Sequence, residues 1–269
     1  MRRAVAFKKF GFKPPKPQPV KSVNDQFSEQ AETYQKYRPH YPPALYRALL
    51  ERVSQRRCCW DCGTGNGQVA SVLAQHFERV YATDISTQQL QRAVAHERIE
   101  YRVERAERTR FKDEQFDLIT VGQALHWFDF EAFGREVERV AQPRAILGVW
   151  GYQLLRGGPD LDPLIDHFYQ EIIGPYWSPE RRHVDQAYCS IPLPGKALPS
   201  PKDLYISVEW TLAALEGYFR SWSSVRQYRR QHDDAPVAHL LDQIRPHWGA
   251  STSRNLRFPL FVRLHSIKD

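Results

Sequence analysis

The 269-residue chain holds one methionine, only four cysteines, and no apolar run near the roughly 18 residues that a membrane-crossing helix needs. Each shortage excludes a class. Three of the cysteines crowd at Cys58, Cys59 and Cys62, leaving Cys189 alone elsewhere. That supplies neither a disulfide framework nor two spaced pairs for a four-ligand zinc site. Cys59 and Cys62 do form a C-x-x-C, which reads as small apolar filling of a buried strand and its turn; no metal is expected. The N-terminus lacks the apolar stretch of a secretory signal, so the expectation is a soluble, cytoplasmic protein with no membrane partner.

Acidic residues are missing from positions 1–21, where Arg2, Arg3, Lys8, Lys9, Lys13, Lys16 and Lys21 stand. They account for the whole formal charge of +7, so the body is neutral and offers no electrostatic track for nucleic acid. Pro14, Pro15, Pro17 and Pro19 make this tail extended or disordered. Its basic character leaves organelle targeting open, although hydroxyl residues are missing before Ser22. The length and a 42% hydrophobic content suit one α/β domain carrying an insertion. The expected division is a tail at 1–21 and one domain over 22–269. Within it lie a core at 56–151, an insertion at 152–203 roofing a pocket, and closing strands and helix at 204–269.

Two short helices, Phe27 to Tyr37 and Pro42 to Val53, are separated by prolines that forbid a continuous rod. Strands and helices then alternate. The patterns predict strands at 57–61, 80–83, 99–103, 116–122 and 145–151, with helices at 67–77, 87–95 and 130–141 between them. Such repetition implies a parallel sheet with helices on both faces. Past Gly151 the sequence turns proline- and aromatic-rich. Asp162-Pro163 opens a helix there, as an N-cap followed by an N1 proline. A strand at 204–210, a helix from Thr211 to about Tyr228 and a strand at 256–265 bring the sheet to seven strands, one antiparallel. Leu212, Leu215, Phe219, Trp222 and Val225 form an apolar stripe on that helix, with Tyr218 and Arg226 off its centre and able to reach a pocket rim.

Within Trp60-Asp61-Cys62-Gly63-Thr64-Gly65-Asn66-Gly67, three alternating glycines follow the first strand. Glycine permits positive φ there, and the missing Cβ lets a ligand lie against the backbone. A dinucleotide fingerprint would want glycine or alanine at 68, where Gln68 stands, so the spacing disfavours NAD. Asp61 suits a ligand with ammonium and sulfonium centres. Asp84, ending the second strand, can accept both hydroxyls of a ribose.

Residues 27–150 resemble the class I S-adenosylmethionine-dependent methyltransferase domain, in particular the branch that includes trans-aconitate methyltransferase. Beyond the glycines, the likeness is carried by Phe27, Tyr34, Tyr37-Arg38-Pro39 and Tyr41-Pro42 before the first strand. Arg105-Ala106-Glu107 with Phe111, and Gln123-Ala124-Leu125-His126-Trp127-Phe128-Asp129 after the fourth strand, carry it further. Trp210-Thr211-Leu212 and Ser221-Trp222-Ser223 resemble a late segment of the same branch. Cys62 and Asn66 in the loop, and the basic tail, depart from its pattern.

The resemblance implies a seven-stranded Rossmann-like, doubly wound sheet with an N-terminal helical lid and a helical insertion after the fifth strand. It implies S-adenosyl-L-methionine as cofactor, held by Asp61, Gly63, Gly65, Gly67, Asp84, Ile85, Ala106, Glu107 and Gln123, with Tyr34 and Arg38 closing over it. Arg38 could also hold a carboxylate, and Trp127, Tyr218, Trp222 and Arg226 are the candidate substrate contacts. His126 is the one group in the facing loop able to act as a base near neutral pH; a hydrogen bond that orients substrate or cofactor, or simple wall filling, are the other readings. The expected activity is methyl transfer by direct displacement to a small molecule, a carboxylic acid being the leading candidate. The alternatives are RNA or protein methylation with the basic tail as tether, and a module that binds the cofactor without turnover.

Overall fold

Parallel strands need cover on both faces and so are apolar along their length. β4 (Phe116–Gly122) is buried at every position, its two polar residues being Asp117 and Thr120. Beside it run β1 (Cys58–Cys62), β2 (Arg79–Asp84), β3 (Ile99–Val103) and β5 (Ala141–Tyr152), all parallel in the order β3-β2-β1-β4-β5. These coordinates are a computed structural model that describes residues 39–232, 235–249 and 252–268. The basic tail and the expected helix from Phe27 to Tyr37, with Tyr34 and Arg38, lie outside the described residues.

Alternation along the strands feeds two cores. Cys59 and Leu118 face one, together with Leu45, Leu49, Leu73 and Phe77; Trp60, Cys62 and Ile119 face the other, with Phe116, Phe133 and Val137. The helix Phe130–Val140 shows how the second face closes. Asp129 caps it by accepting from the Ala132 N–H at 2.9 Å, and Phe133, Val137 and Val140 fall on one stripe against the sheet. Each such buried side chain contributes about 1.5–3 kcal/mol.

The sheet holds eight strands where seven were expected. The extra one, β6 (Lys196–Leu198), is three residues long, too short for a period to show, and pairs antiparallel with β8 (Ser253–Ile267). β8 spans 15 residues, enough for two sets of partners. Its Leu260–Ile267 half pairs antiparallel with β5, while Ser253–Pro259 pairs antiparallel with β7 (Tyr205–Thr211). Hence β7 is attached to the extension of β8 and does not lie in the central row.

Other departures are local. The expected helix 211–228 is two helices, Leu212–Arg220 and Ser223–Arg229, because the Ser221 hydroxyl bonds back to the Tyr218 carbonyl at 2.6 Å and Trp222 adopts extended backbone. Helix Asp162–His167 begins where Asp162-Pro163 placed it, but Leu161 is its cap. Asp162 instead accepts from the Gly157 and Gly158 N–H groups. It runs on into a π-helical turn, Phe168–Ile172. A 13-residue helix, Pro236–Trp248, was not anticipated. No helix among the described residues is long and apolar enough to cross a membrane.

Candidate active site

Strand order reverses between β1 and β4, which opens a crevice outside their carboxyl ends. The glycine loop after β1 and the loop after β4 meet there. Gly63, Gly65 and Gly67 all have positive φ, at 66, 58 and 80°. A Cβ on Gly63 would sit 2.6 Å from the Ala124 Cβ, and one on Gly67 would strike the Tyr101 hydroxyl. Only glycine lets the turn pass between these neighbours. Gln123 adopts positive φ as a non-glycine residue, fixed by its N–H to the Trp150 carbonyl and by its Oε1, which accepts from the Tyr152 N–H, both at 2.8 Å.

A cavity of about 340 Å³ occupies the crevice, within the size range of small-ligand sites. Of the expected residues, Gly63, Gly65, Asp84, Ile85, Ala106, Glu107, Gln123, His126, Trp127, Tyr218 and Trp222 line it. Asp61 and Gly67 do not. Asp61 sits behind the loop, in an adjoining narrow cleft with Tyr41 and Thr64, and Gly67 caps the helix Gln68–Leu73. Arg226 is half-buried but off the cavity wall. The break at Trp222 removes the helical register that would have aligned it with Tyr218.

The cofactor end is acidic. Asp84 accepts from the Gly65 N–H through Oδ2 and from the Ser86 N–H through Oδ1, each at 2.8 Å. A carboxylate has about four lone-pair positions, so one such group can serve several donors at once. Glu104 and Glu107 stand further along the same wall, Glu107 tied to the Asp129 N–H at 3.1 Å. Asp61 accepts from the hydroxyls of Thr64 at 2.5 Å and Thr120 at 2.9 Å. Burial pushes its pKa up to about 6 against those hydrogen bonds, with Asp84 adding to the rise. A buried carboxyl under that pressure gains most from an incoming cation.

The opposite end is aromatic, formed by Trp127, Tyr152, Trp177, Tyr218 and Trp222, while Phe128 packs by Gly63 at the loop. His126 lies beneath it, with Nδ1 2.7 Å from the Tyr188 hydroxyl. Burial, and then the charges of Arg181 and His183, depress its pKa to about 3. The ring is therefore neutral at physiological pH and a weak proton acceptor. Sequence reading gave no site role to Gln89, Glu104, Tyr152, Trp177, Ser178, Arg181, Ser221 and Ser223, all on the wall. Glu104 had a signal, being an acid at the end of the third strand. Trp177, Ser178 and Arg181 come from the insertion, where nothing in Ser178-Pro179-Glu180-Arg181-Arg182 separates an inward cation from a surface one.

Known proteins share this arrangement. The methyltransferase domain family matches residues 60–149. A Dictyostelium discoideum protein named as a methyltransferase is 31% identical over 213 residues, 78% of this chain and 80% of that one. The chain belongs to the methyltransferase family. A solved structure from Anaeromyxobacter dehalogenans, described as a type II methyltransferase, is 35% identical with a TM-score of 0.81, covering 87% of this chain and all of that one. A Haemonchus contortus phosphoethanolamine N-methyltransferase, solved with phosphomonomethylethanolamine and S-adenosylhomocysteine, shares the fold at TM-score 0.50 and 15% identity, covering 94% of this chain and 62% of that one.

Family membership makes S-adenosyl-L-methionine the cofactor, and the residues present fit it. The Gly63 and Gly65 backbone on the wall offers the close approach that an adenosyl group needs, the Asp84 carboxylate stands beside it at the end of β2 where a ribose diol would lie, and the raised Asp61 lies in the cleft adjoining Gly63, where burial favours an incoming cation.

Proposed function

We propose that this methyltransferase transfers a methyl group by direct displacement to a small organic acid enclosed in the aromatic half of the cavity. The observation that carries the reading is the continuity of one cavity from the acidic glycine-loop end to the wall of Trp127, Tyr218 and Trp222. Asp84, Ala106, Glu107 and Ile85 hold the adenosyl part, Asp61 the amino-acid part, and Gln123 the loop that faces the reacting carbon. When bound, the cofactor supplies a sulfonium-activated methyl, which passes to an acceptor lone pair as the carbon–sulfur bond breaks and its electron pair stays on sulfur.

What the protein adds is alignment in a dry site, and positioning of this kind supplies roughly 7–11 kcal/mol of a barrier. His126 orients through a hydrogen bond in this scheme, because a ring with a pKa of about 3 draws little on a bound proton. A carboxylate needs no such help, since it arrives ionised at neutral pH. Likeness of the lid and loop residues to the trans-aconitate branch supports the same acceptor class, and the insertion 152–203 is the segment that sets the choice.

The test is a screen of small acids, phenols and amines for release of S-adenosylhomocysteine by the purified protein, alongside RNA and unfractionated protein. Turnover confined to acids supports the proposal. Turnover only on polymer, lost when residues 1–21 are removed, would favour the tethered polymer enzyme.

A further inference from the structure

Among the groups on the cavity wall, Arg181 is the strongest candidate for a role beyond those above. It belongs to a five-residue helix, Arg181–Asp185, in the insertion, and lines the cavity with 21% of its side chain accessible. Its Nε donates to the Tyr169 hydroxyl at 2.8 Å, and that hydroxyl donates to Asp185 Oδ1 at 2.7 Å; Nε also reaches the same Oδ1 at 3.4 Å. Tyr169 comes from the π-helical turn Phe168–Ile172, and irregular turns of this kind recur at functional sites. The guanidinium lies over the Trp177 ring, 4.9 Å from its centroid.

Three contacts thus fix one edge and one face of the group. The two terminal nitrogens, which make the fork that matches a carboxylate, make no hydrogen bond to any described residue. Burial works against the charge, but Tyr169, Asp185 and Tyr218 outweigh it and hold the pKa above its ordinary value, so the group stays cationic. A cation fixed by its back edge, in a mostly aromatic wall, is arranged for a ligand and not for the fold.

We propose that Arg181 is the specificity-determining residue of the acceptor end, its terminal nitrogens taking the carboxylate of a small, flat organic acid. The proposal rests on the methyltransferase reading of the cavity. The terminal nitrogens form a single planar fork, which matches one carboxylate, and Trp177 and Trp222 offer flat surfaces to an unsaturated body. A phosphate dianion would leave charge uncompensated. Tyr169 is a positioning residue, acting through Arg181.

The experiment compares matched pairs, benzoate with benzamide and cinnamate with cinnamamide, titrated by calorimetry into the full chain loaded with S-adenosylhomocysteine. Phenyl phosphate is a third arm. The acids should bind about tenfold or more tightly than the amides. Arg181→Gln should erase that gap while leaving amide affinity unchanged, which a merely structural role would not do. Tyr169→Phe should narrow the gap several-fold. Equal binding of acid and amide, a gap that survives Arg181→Gln, no acid binding at millimolar concentration, or a preference for phenyl phosphate would each overturn the proposal. Loading is measured first. Absence of heat with S-adenosylhomocysteine sinks the cofactor reading instead, and the acid–amide comparison then decides Arg181 on the unloaded protein.

Discussion

Replacing Asp61 by asparagine should make the ligand-free protein more stable and the cofactor site weaker. The carboxyl is 1% exposed, and burial raises its pKa from 3.8 to about 6. A rise of about two units, at roughly 1.36 kcal/mol each, is a penalty of about 3 kcal/mol for holding the ionised group in the fold at neutral pH. The sign follows from proton counts. Between the unfolded and folded pKa values the native state binds more protons than the unfolded chain, so ligand-free stability falls as pH rises from about 4 to about 6. An amide carries no such penalty but gives up part of the hydrogen bonding from Thr64 and Thr120, at roughly 1 kcal/mol. Urea unfolding should therefore find Asp61→Asn more stable by about 1–2 kcal/mol at about pH 7.5, with the gap vanishing or reversing at about pH 4. Calorimetry with S-adenosylhomocysteine should show affinity lower by about 10- to 100-fold, as for the loss of a charged hydrogen-bond partner. In the wild type, that affinity should rise with pH through about 6 and then level off. A variant less stable than wild type at neutral pH, or one that binds the ligand equally well, refutes the reasoning.

With an acid acceptor and saturating S-adenosyl-L-methionine, which removes the Asp61 contribution, the methylation rate should stay flat between about pH 5.5 and 8, because His126 is neutral throughout; a step near its ordinary pKa in the wild type, absent in His126→Gln, would restore the base. Asp84→Ala should cost S-adenosylhomocysteine affinity at least about tenfold, since the ribose loses its acceptor and the Gly65 and Ser86 N–H groups lose theirs. An unchanged dissociation constant would remove Asp84 from the site. Gly67→Ala should destabilise the protein by about 1–2 kcal/mol through positive φ alone, and by more through the Tyr101 hydroxyl. Adding Tyr101→Phe should recover only the part of the cost due to the hydroxyl in chemical denaturation, since the ring carbons stay close; full recovery would show that backbone strain contributes nothing.

The parts legible in the sequence were those with a local physical cause. Apolar strands alternating with amphipathic helices announced β1 to β5, and Gly63, Gly65 and Gly67 all occupy the left-handed backbone that their spacing required. Asp84, Glu107 and Trp127 reach the cavity because strand ends and the loops after them are carried there by topology. Where placement depended on distant packing, sequence was silent. The register that was to bring Arg226 beside Tyr218 assumed an unbroken helix, and one hydroxyl bond from Ser221 ended it. Helix Pro236–Trp248 did carry a readable stripe, Val237, Leu240, Leu241, Ile244 and Trp248, behind an N-terminal proline. Arg181 carried none, since its inward aim depends on Tyr169 and Asp185, 12 positions before and four after it.

The two halves of the cavity are set apart by charge. Asp84, Glu104 and Glu107 line one end with Asp61 behind them and one cation, Arg105, paired to Glu107, while Arg181, beside Asp185, stands on the wall at the other. A ligand with cationic centres is drawn to the first and repelled by the second; an anionic acceptor meets the reverse. At an effective dielectric of about 20, two unit charges roughly 8 Å apart differ by about 4 kcal/mol between attraction and repulsion, enough to keep two small ligands from exchanging places. Neutral His126, beneath the aromatic end, fits this division, because a second cation there would add to the repulsion of a cationic ligand. The same burial that makes the ring a poor base keeps it from adding a charge of its own to the cavity wall.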